Sequence, residues 1–138
     1  MIYLLDTNLL GEPLRAEPNA RVVSLMLQRQ LQSAIAATAW EEFCFGIGIM
    51  PSGSRRRALG QYRDDLLAWN IPILPFDQAA ADWLSQERAR LAIKGITVPY
   101  QDATIAAVAV TRGLILVTRN TRDYKPYKGL KMENWFRA

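Results

Sequence analysis

Four acids stand where an α/β chain gathers ligands. Asp6 closes the apolar run at 2–5, and Glu42 lies early in the helix expected after a short strand at 34–37. Asp102 opens the apolar segment ATIAAVAV, and Asp123 falls just past a third apolar run at 114–117. Two carboxylates ~5 Å apart repel by about 3 kcal/mol at an effective dielectric of 20, so a pocket holding several of them needs a cation. The chain has no histidine and one cysteine, Cys44. Oxygen is therefore the ligand type on offer, which points to Mg²⁺ or Mn²⁺ and away from zinc or copper. Such a site suits metal-assisted attack on a phosphodiester, because the cation activates water and neutralises charge on the leaving oxygen. A Ser-His-Asp triad, a Cys-His dyad and histidine acid-base chemistry are excluded outright. Each acid also has an ordinary reading alone: Asp102 and Asp123 as helix N-caps, Asp6 as a turn residue, Glu42 as an exposed helix residue.

The elements that would position these acids alternate along the chain. Residues 2–5, 34–37 and 114–117 read as short buried strands. Asn19 caps a helix whose inward face carries Val22, Val23, Met26, Leu27 and Leu31. Thr38 with Glu41 three residues on has the spacing of a capping box, which opens a helix running to about residue 50 and gives Glu41 a capping role beside Glu42. A helix over 55–69 places Leu59, Tyr62, Leu66 and Trp69 on one face. The run 71–76 reads as a strand interrupted by Pro72 and Pro75, hence at an edge or shorter than the run. Asp77 caps a helix with Ala80, Trp83, Leu84 and Leu91 inward and Glu87, Arg88, Arg90 and Lys94 in water, stopped at Gly95. The helix from Asp102 is apolar on nearly every side and so is buried centrally, ending at Gly113. This order implies one α/β domain over 1–138, a central parallel sheet flanked by helices, with Asp6 at the carboxyl end of a strand where such sheets place ligands.

The charge balance carries a second signal. The 138 residues hold 17 bases against 13 acids, and thirteen of the bases are arginines, whose planar fork matches phosphate oxygens. With the four candidate acids set apart, the rest of the chain is strongly basic, as a polyanionic partner requires. Arg55, Arg56 and Arg57 form the one dense basic run; they read either as a solvated helix entrance or as an RNA contact. Glu12, Glu17, Asp64, Asp65, Asp82 and Glu87 read as surface acids. No apolar run approaches the ~18 residues of a membrane span, and the opening MIYLLDTN lacks a basic leader. The lone cysteine suits a reducing compartment, so a cytoplasmic location is expected.

Five segments in order, LLDTN at 4–8, EFCFG at 42–46, PSGSRRRAL at 51–59, QDATIAAVA at 101–109 and LVTRNTRDY at 116–124, followed by ENWF at 133–136, resemble the motifs of the PIN domain, specifically the VapC-type toxins of toxin-antitoxin pairs. The resemblance covers almost the whole chain. It implies a PIN-like α/β domain, Mg²⁺- or Mn²⁺-dependent endoribonuclease activity on RNA such as transfer or ribosomal RNA, a small VapB-like antitoxin as inhibitor, and a homodimer. Carried over by motif, Asp6, Glu42 and Asp102 match the three core acids, Asp123 matches a fourth that is less uniformly a direct ligand, and Asn120 matches the asparagine of the TRN element. Thr7, Asn8 and Thr118 are expected to orient the acids or the backbone. The chain departs from its relatives in having Glu41 beside Glu42 and Tyr124 where phenylalanine is usual.

Two other functions remain open at this level. A haloacid-dehalogenase-like aspartate phosphatase also places an acid after an apolar strand, but it wants a second aspartate two positions on, where this chain has Asn8. A catalytically silent binding module could use the same fold for regulation.

Overall fold

The computed structural model describes all residues, Met1–Ala138. Five strands form one parallel sheet: β1 (Tyr3–Leu5), β2 (Ser33–Ala36), β3 (Ile73–Leu74), β4 (Ile115–Val117) and β5 (Lys131–Glu133), in the order β3-β2-β1-β4-β5. The central strand β1 pairs Leu5 with Ile35 of β2 on one side and with Val117 of β4 on the other. All four crossover segments needed to keep these strands parallel contain helices, as a parallel sheet requires. The strands are short and almost wholly apolar because both faces are covered, which is why they read as runs rather than alternations. Pro72 and Pro75 confine β3 to two residues at the sheet edge, since proline cannot donate to a ladder.

Seven helices surround the sheet: α1 (Thr7–Leu10), α2 (Ala20–Gln28), α3 (Ala37–Gly48), α4 (Ser54–Ala68), α5 (Gln78–Ile93), α6 (Tyr100–Thr111) and α7 (Thr121–Tyr124). The expected caps at Asn19 and Asp77 are present: their side chains accept from the backbone N–H groups of Val22 and Ala80. Helix α6 packs against α3, α5 and β4, and residues Ala103 through Ala109 are buried without interruption. Its alanines let neighbouring backbones approach closely while still removing apolar surface from water. No helix is long and apolar enough to cross a membrane.

Several local expectations change. The N-cap of α3 is Ala36, so Thr38 lies inside the helix, where its hydroxyl accepts from the Thr104 hydroxyl at 3.0 Å. Glu41 is exposed and has no capping role. Leu31 is 94% exposed because α2 stops at Gln28 and a short 3-10 turn, Gln30–Gln32, redirects the chain. Trp69 also lies half in water, at the end of α4. Two acids expected on the surface are buried instead. Glu12 accepts from the Asn19 backbone N–H and from Arg15, and Glu87 accepts from Arg90 and the Lys128 backbone N–H. Each carboxylate acts as an internal staple for a loop whose donors would otherwise be unpaired.

Candidate active site

The carboxyl ends of β1 and β4 lie side by side, so the chain leaves the sheet twice at the same place. Asp6 leaves β1, and its carboxylate accepts from the Thr7 backbone N–H at 2.8 Å, capping α1. Its turn-type role and its pocket address are therefore the same geometry. The other oxygen, Oδ2, accepts from the Thr118 hydroxyl at 2.8 Å, the Tyr124 hydroxyl at 3.3 Å and the Asn8 amide at 3.4 Å. Thr118 is fully buried and also accepts from the Asn120 backbone N–H. Asn8 accepts from the Arg119 backbone N–H at 3.3 Å. The LDTN and TRN segments are thus tied to each other through side chains, with Thr118 and Asn8 as the ties.

Glu42 enters from α3, where its Oε1 accepts from the Thr7 hydroxyl at 2.7 Å. Asp102 sits in the first turn of α6, two residues inside a helix whose N-cap is Pro99, so it is not a cap. Tyr124 places its hydroxyl against both Asp6 and Asp102. Asp123, on the exposed side of α7, contributes repulsion to Asp102, which puts it at the rim. It is not the N-cap of α7 either; that position belongs to Asn120, whose side chain makes no capping bond.

The electrostatics follow from this convergence. Burial pushes the Asp6 carboxyl above the usual carboxylate range, opposed by hydrogen bonds from Thr118, Thr7 and Tyr124, with repulsion from Glu42 added. Burial likewise raises Asp102, and the neighbouring Asp6, Glu42 and Asp123 charges push the same way. The Tyr124 hydroxyl is held protonated by burial and by the two aspartates beside it, so it keeps the proton it donates to Asp6. Tyr124, a departure from the family pattern with no role expected from sequence, is thus part of the site; nothing in its local sequence signals the contact.

The donor set fits a hard divalent cation in atom type and in charge. Each carboxylate that is raised by its neighbours would be relieved by a positive ion among them. As the side chains stand, no three of them close into a group that could hold a metal ion; Asp6 and Glu42 are engaged by hydroxyl and N–H donors. Closer approach of these carboxylates than is seen here would have to accompany binding.

Of the three arginines in the basic run, Arg55 lines a concavity of about 250 Å³ together with Thr7, Glu42 and Gly46 and donates to the Leu14 carbonyl at 2.7 Å. Arg56 and Arg57 face a separate concavity.

A family model for the PIN domain matches residues 3–129. The chain belongs to the PIN domain family. Among its relatives, toxin FitB of Neisseria gonorrhoeae is 34% identical over 129 residues, covering 89% of this chain and 91% of FitB. The tRNA(fMet)-specific endonuclease VapC of Shigella flexneri is 32% identical, covering 96% and 97%. Among solved structures, FitAcB from Neisseria gonorrhoeae superposes with a TM-score of 0.88 at 28% identity, covering 99% of this chain and all of that one. DNA-bound VapBC from Salmonella typhimurium gives 0.83 at 27% identity, with 98% of each chain covered. The five-stranded parallel sheet described above is the PIN-domain fold of these structures.

Proposed function

We infer that this PIN domain is the toxin of a type II toxin-antitoxin pair and an endoribonuclease that hydrolyses RNA phosphodiester bonds at the face carrying Asp6, Glu42 and Asp102, with Asp123 at its rim. The observation that carries the site is the convergence on Asp102 of three other acids from separate elements, Asp6, Glu42 and Asp123. The relatives' names, a toxin and a transfer-RNA endonuclease, support the reaction class and the RNA substrate. VapBC among the matching structures supports a VapB-like antitoxin as partner.

Asp6, Glu42 and Asp102 are the residues to hold Mg²⁺ or Mn²⁺, with Asp123 assisting. The ion, when bound, supplies Lewis-acid activation of water and charge neutralisation at phosphorus. The chain's own residues do the positioning. Thr118 and Tyr124 fix the Asp6 carboxylate, Thr7 holds Glu42, and Asn8 with Asn120 anchors the loop after β4. Preorganisation of this kind keeps ligands aimed without cost at the moment of reaction.

Asn8 argues against the phosphatase reading, since the residue where a second aspartate would be needed is an amide engaged with Asp6 and the Arg119 backbone. Incubating the purified chain with transfer RNA, ribosomal RNA and a phosphomonoester, with and without Mn²⁺, separates the readings. RNA cleavage abolished by EDTA is expected. Phosphomonoester hydrolysis alone would establish the phosphatase, and neither activity would leave the binding module. Action as a homodimer in the cytoplasm belongs to the same proposal; light scattering of the purified chain tests the dimer.

A further inference from the structure

The mutual arrangement of Arg56, Arg57 and Arg63 is unaccounted for by the acidic site. The three line one concavity of about 420 Å³ with Gly48, Gly53 and Gly60. Residues 56, 60 and 63 share a face of α4 by helical spacing, and Gly60 between the two arginines leaves that face open to its backbone. A Cβ there would meet only the Arg63 guanidinium, at 3.8 Å, and one at Gly48 or Gly53 would meet nothing within 4 Å. Arg56 reaches the Gly48 carbonyl at 3.4 Å, and Arg63 has one carboxylate partner, Asp64, at 3.2 Å. Three guanidinium groups against one exposed carboxylate leave the concavity with excess positive charge. The start of α4 adds to it: Gly53 supplies no side-chain cap, so first-turn N–H groups of a 15-residue helix remain available nearby.

The location gives this charge a purpose. Ile47 lines both this concavity and the one that holds Thr7, Glu42 and Arg55. Along α3, the six residues from Glu42 to Gly48 span about 9 Å at the helical rise. A nucleic-acid strand with one phosphodiester at the acidic face would therefore carry a neighbouring phosphate to the arginines. Their planar forks match phosphate oxygens in two-pronged fashion. The acidic face repels the substrate's own charge, so affinity has to be supplied beside it.

We propose that Arg56, Arg57 and Arg63 form a backbone-phosphate subsite for single-stranded RNA, adjacent to the acidic face and separate from it. This rests on the ribonuclease reading above. The site recognises phosphate rather than base, so it sets affinity and strand direction without sequence preference.

The test is binding of a fluorescently labelled, mixed-sequence single-stranded oligoribonucleotide to the full chain in EDTA, by anisotropy over a range of salt concentrations. Arg57→Gln and Arg63→Gln are each expected to weaken binding at least about fivefold. Each should also flatten the slope of log affinity against log salt by about 0.7, the contribution of one phosphate contact on a single strand. Arg21→Gln, on the exposed face of α2, removes the same charge elsewhere and should leave the slope unchanged. Thermal midpoints equal to wild type establish that the variants are folded. Variants that bind RNA with wild-type affinity and slope, or an Arg21→Gln effect as large as theirs, overturn the proposal while leaving the ribonuclease reading intact. Unchanged RNA binding with lost antitoxin affinity overturns it in favour of a protein-docking surface. Wild-type protein that neither binds nor cleaves RNA removes the ribonuclease reading first and this subsite with it.

Discussion

Thr118 donates its hydroxyl to Asp6 Oδ2 at 2.8 Å, joining residues 112 positions apart at the ends of adjacent parallel strands. Both are buried, Asp6 at 5% exposure and Thr118 at none. The pairing of Leu5 with Val117 sets it up, since the next residue on each strand is then necessarily beside the other. A hydrogen bond to a charged group is worth roughly 1.5–3 kcal/mol, about twice a neutral one. Thr118→Val keeps the shape and removes the donor, so it is expected to lower the urea midpoint by an amount equivalent to about 2 kcal/mol. The same change should weaken Mn²⁺ binding, because Asp6 is then aimed only by Thr7, Tyr124 and Asn8. Urea titration and Mn²⁺ titration of one preparation check both halves.

Replacing Asp6 by Asn, Glu42 by Gln or Asp102 by Asn removes the charge of a proposed metal ligand with little change of volume. Each is expected to lower Mn²⁺-dependent RNA cleavage at least ~100-fold with the fold retained. Glu41→Gln is expected to stay within a few-fold of wild type. The reason is exposure: adjacent residues on a helix point about 100° apart, and the Thr7 hydroxyl selects Glu42 as the one facing inward. Cleavage rates and Mn²⁺ affinity for the four variants decide it; a Glu41→Gln protein that loses both would move the site by one residue.

The fold and the four acids were legible because they rest on strong local signals. The runs at 2–5 and 114–117 are apolar and end on polar triplets, and ATIAAVAV has no polar face to show to water. What stayed hidden was decided by tertiary contact. Strand β5 carries Lys131 and Glu133, too polar and too short to stand out, and exists because β4 offers an open edge. Thr38 with Glu41 has the spacing of a capping box, yet β2 runs directly into α3 and leaves Ala36 as the cap. Glu12 and Glu87 read as surface charge because nothing in their local sequence reveals the backbone N–H groups of Asn19 and Lys128 that they serve. Tyr124 lies on a helix of four residues, where no periodicity points its hydroxyl at Asp6.

Asp102 gives a pH prediction for the metal-free chain. Its folded-state carboxyl is raised above the ordinary value by burial and by Asp6, Glu42 and Asp123. The folded state therefore holds that proton more tightly than the unfolded state does. Stability from this group is fully present below the unfolded value and is lost as pH rises through the folded one. Asp102→Asn carries no such loss. The difference in thermal midpoint, variant minus wild type in EDTA, is expected to increase from pH 4 to pH 7. Added Mn²⁺ should narrow that difference by stabilising the wild type through binding. A difference that is flat or falls with pH would mean that the acids do not repel in the folded chain.

Glu87 yields a prediction for an acid outside the candidate site. Its carboxylate is 6% exposed and joins α5 to the loop before β5, accepting from Arg90 and from the Lys128 backbone N–H at 3.0 Å. Arg90 in turn donates to the Pro126 carbonyl at 2.8 Å, so one pair fixes both ends of the turn that delivers β5. Glu87→Ala leaves the Lys128 N–H and the Arg90 Nε–H without this acceptor; the loss is expected to lie at or below about 1 kcal/mol for each, because Lys128 is exposed and Arg90 only partly buried, so water reaches the freed donors. Glu87→Gln can still accept from one of the two, so a smaller loss is expected. Both variants should bind Mn²⁺ as wild type does below their melting temperatures, since neither donor touches Asp6, Glu42 or Asp102. Differential scanning calorimetry with parallel Mn²⁺ titration provides the measurement. Equal midpoints for wild type and Glu87→Ala would show that water replaces the carboxylate at no cost, and that β5 is held by its ladder to β4 alone.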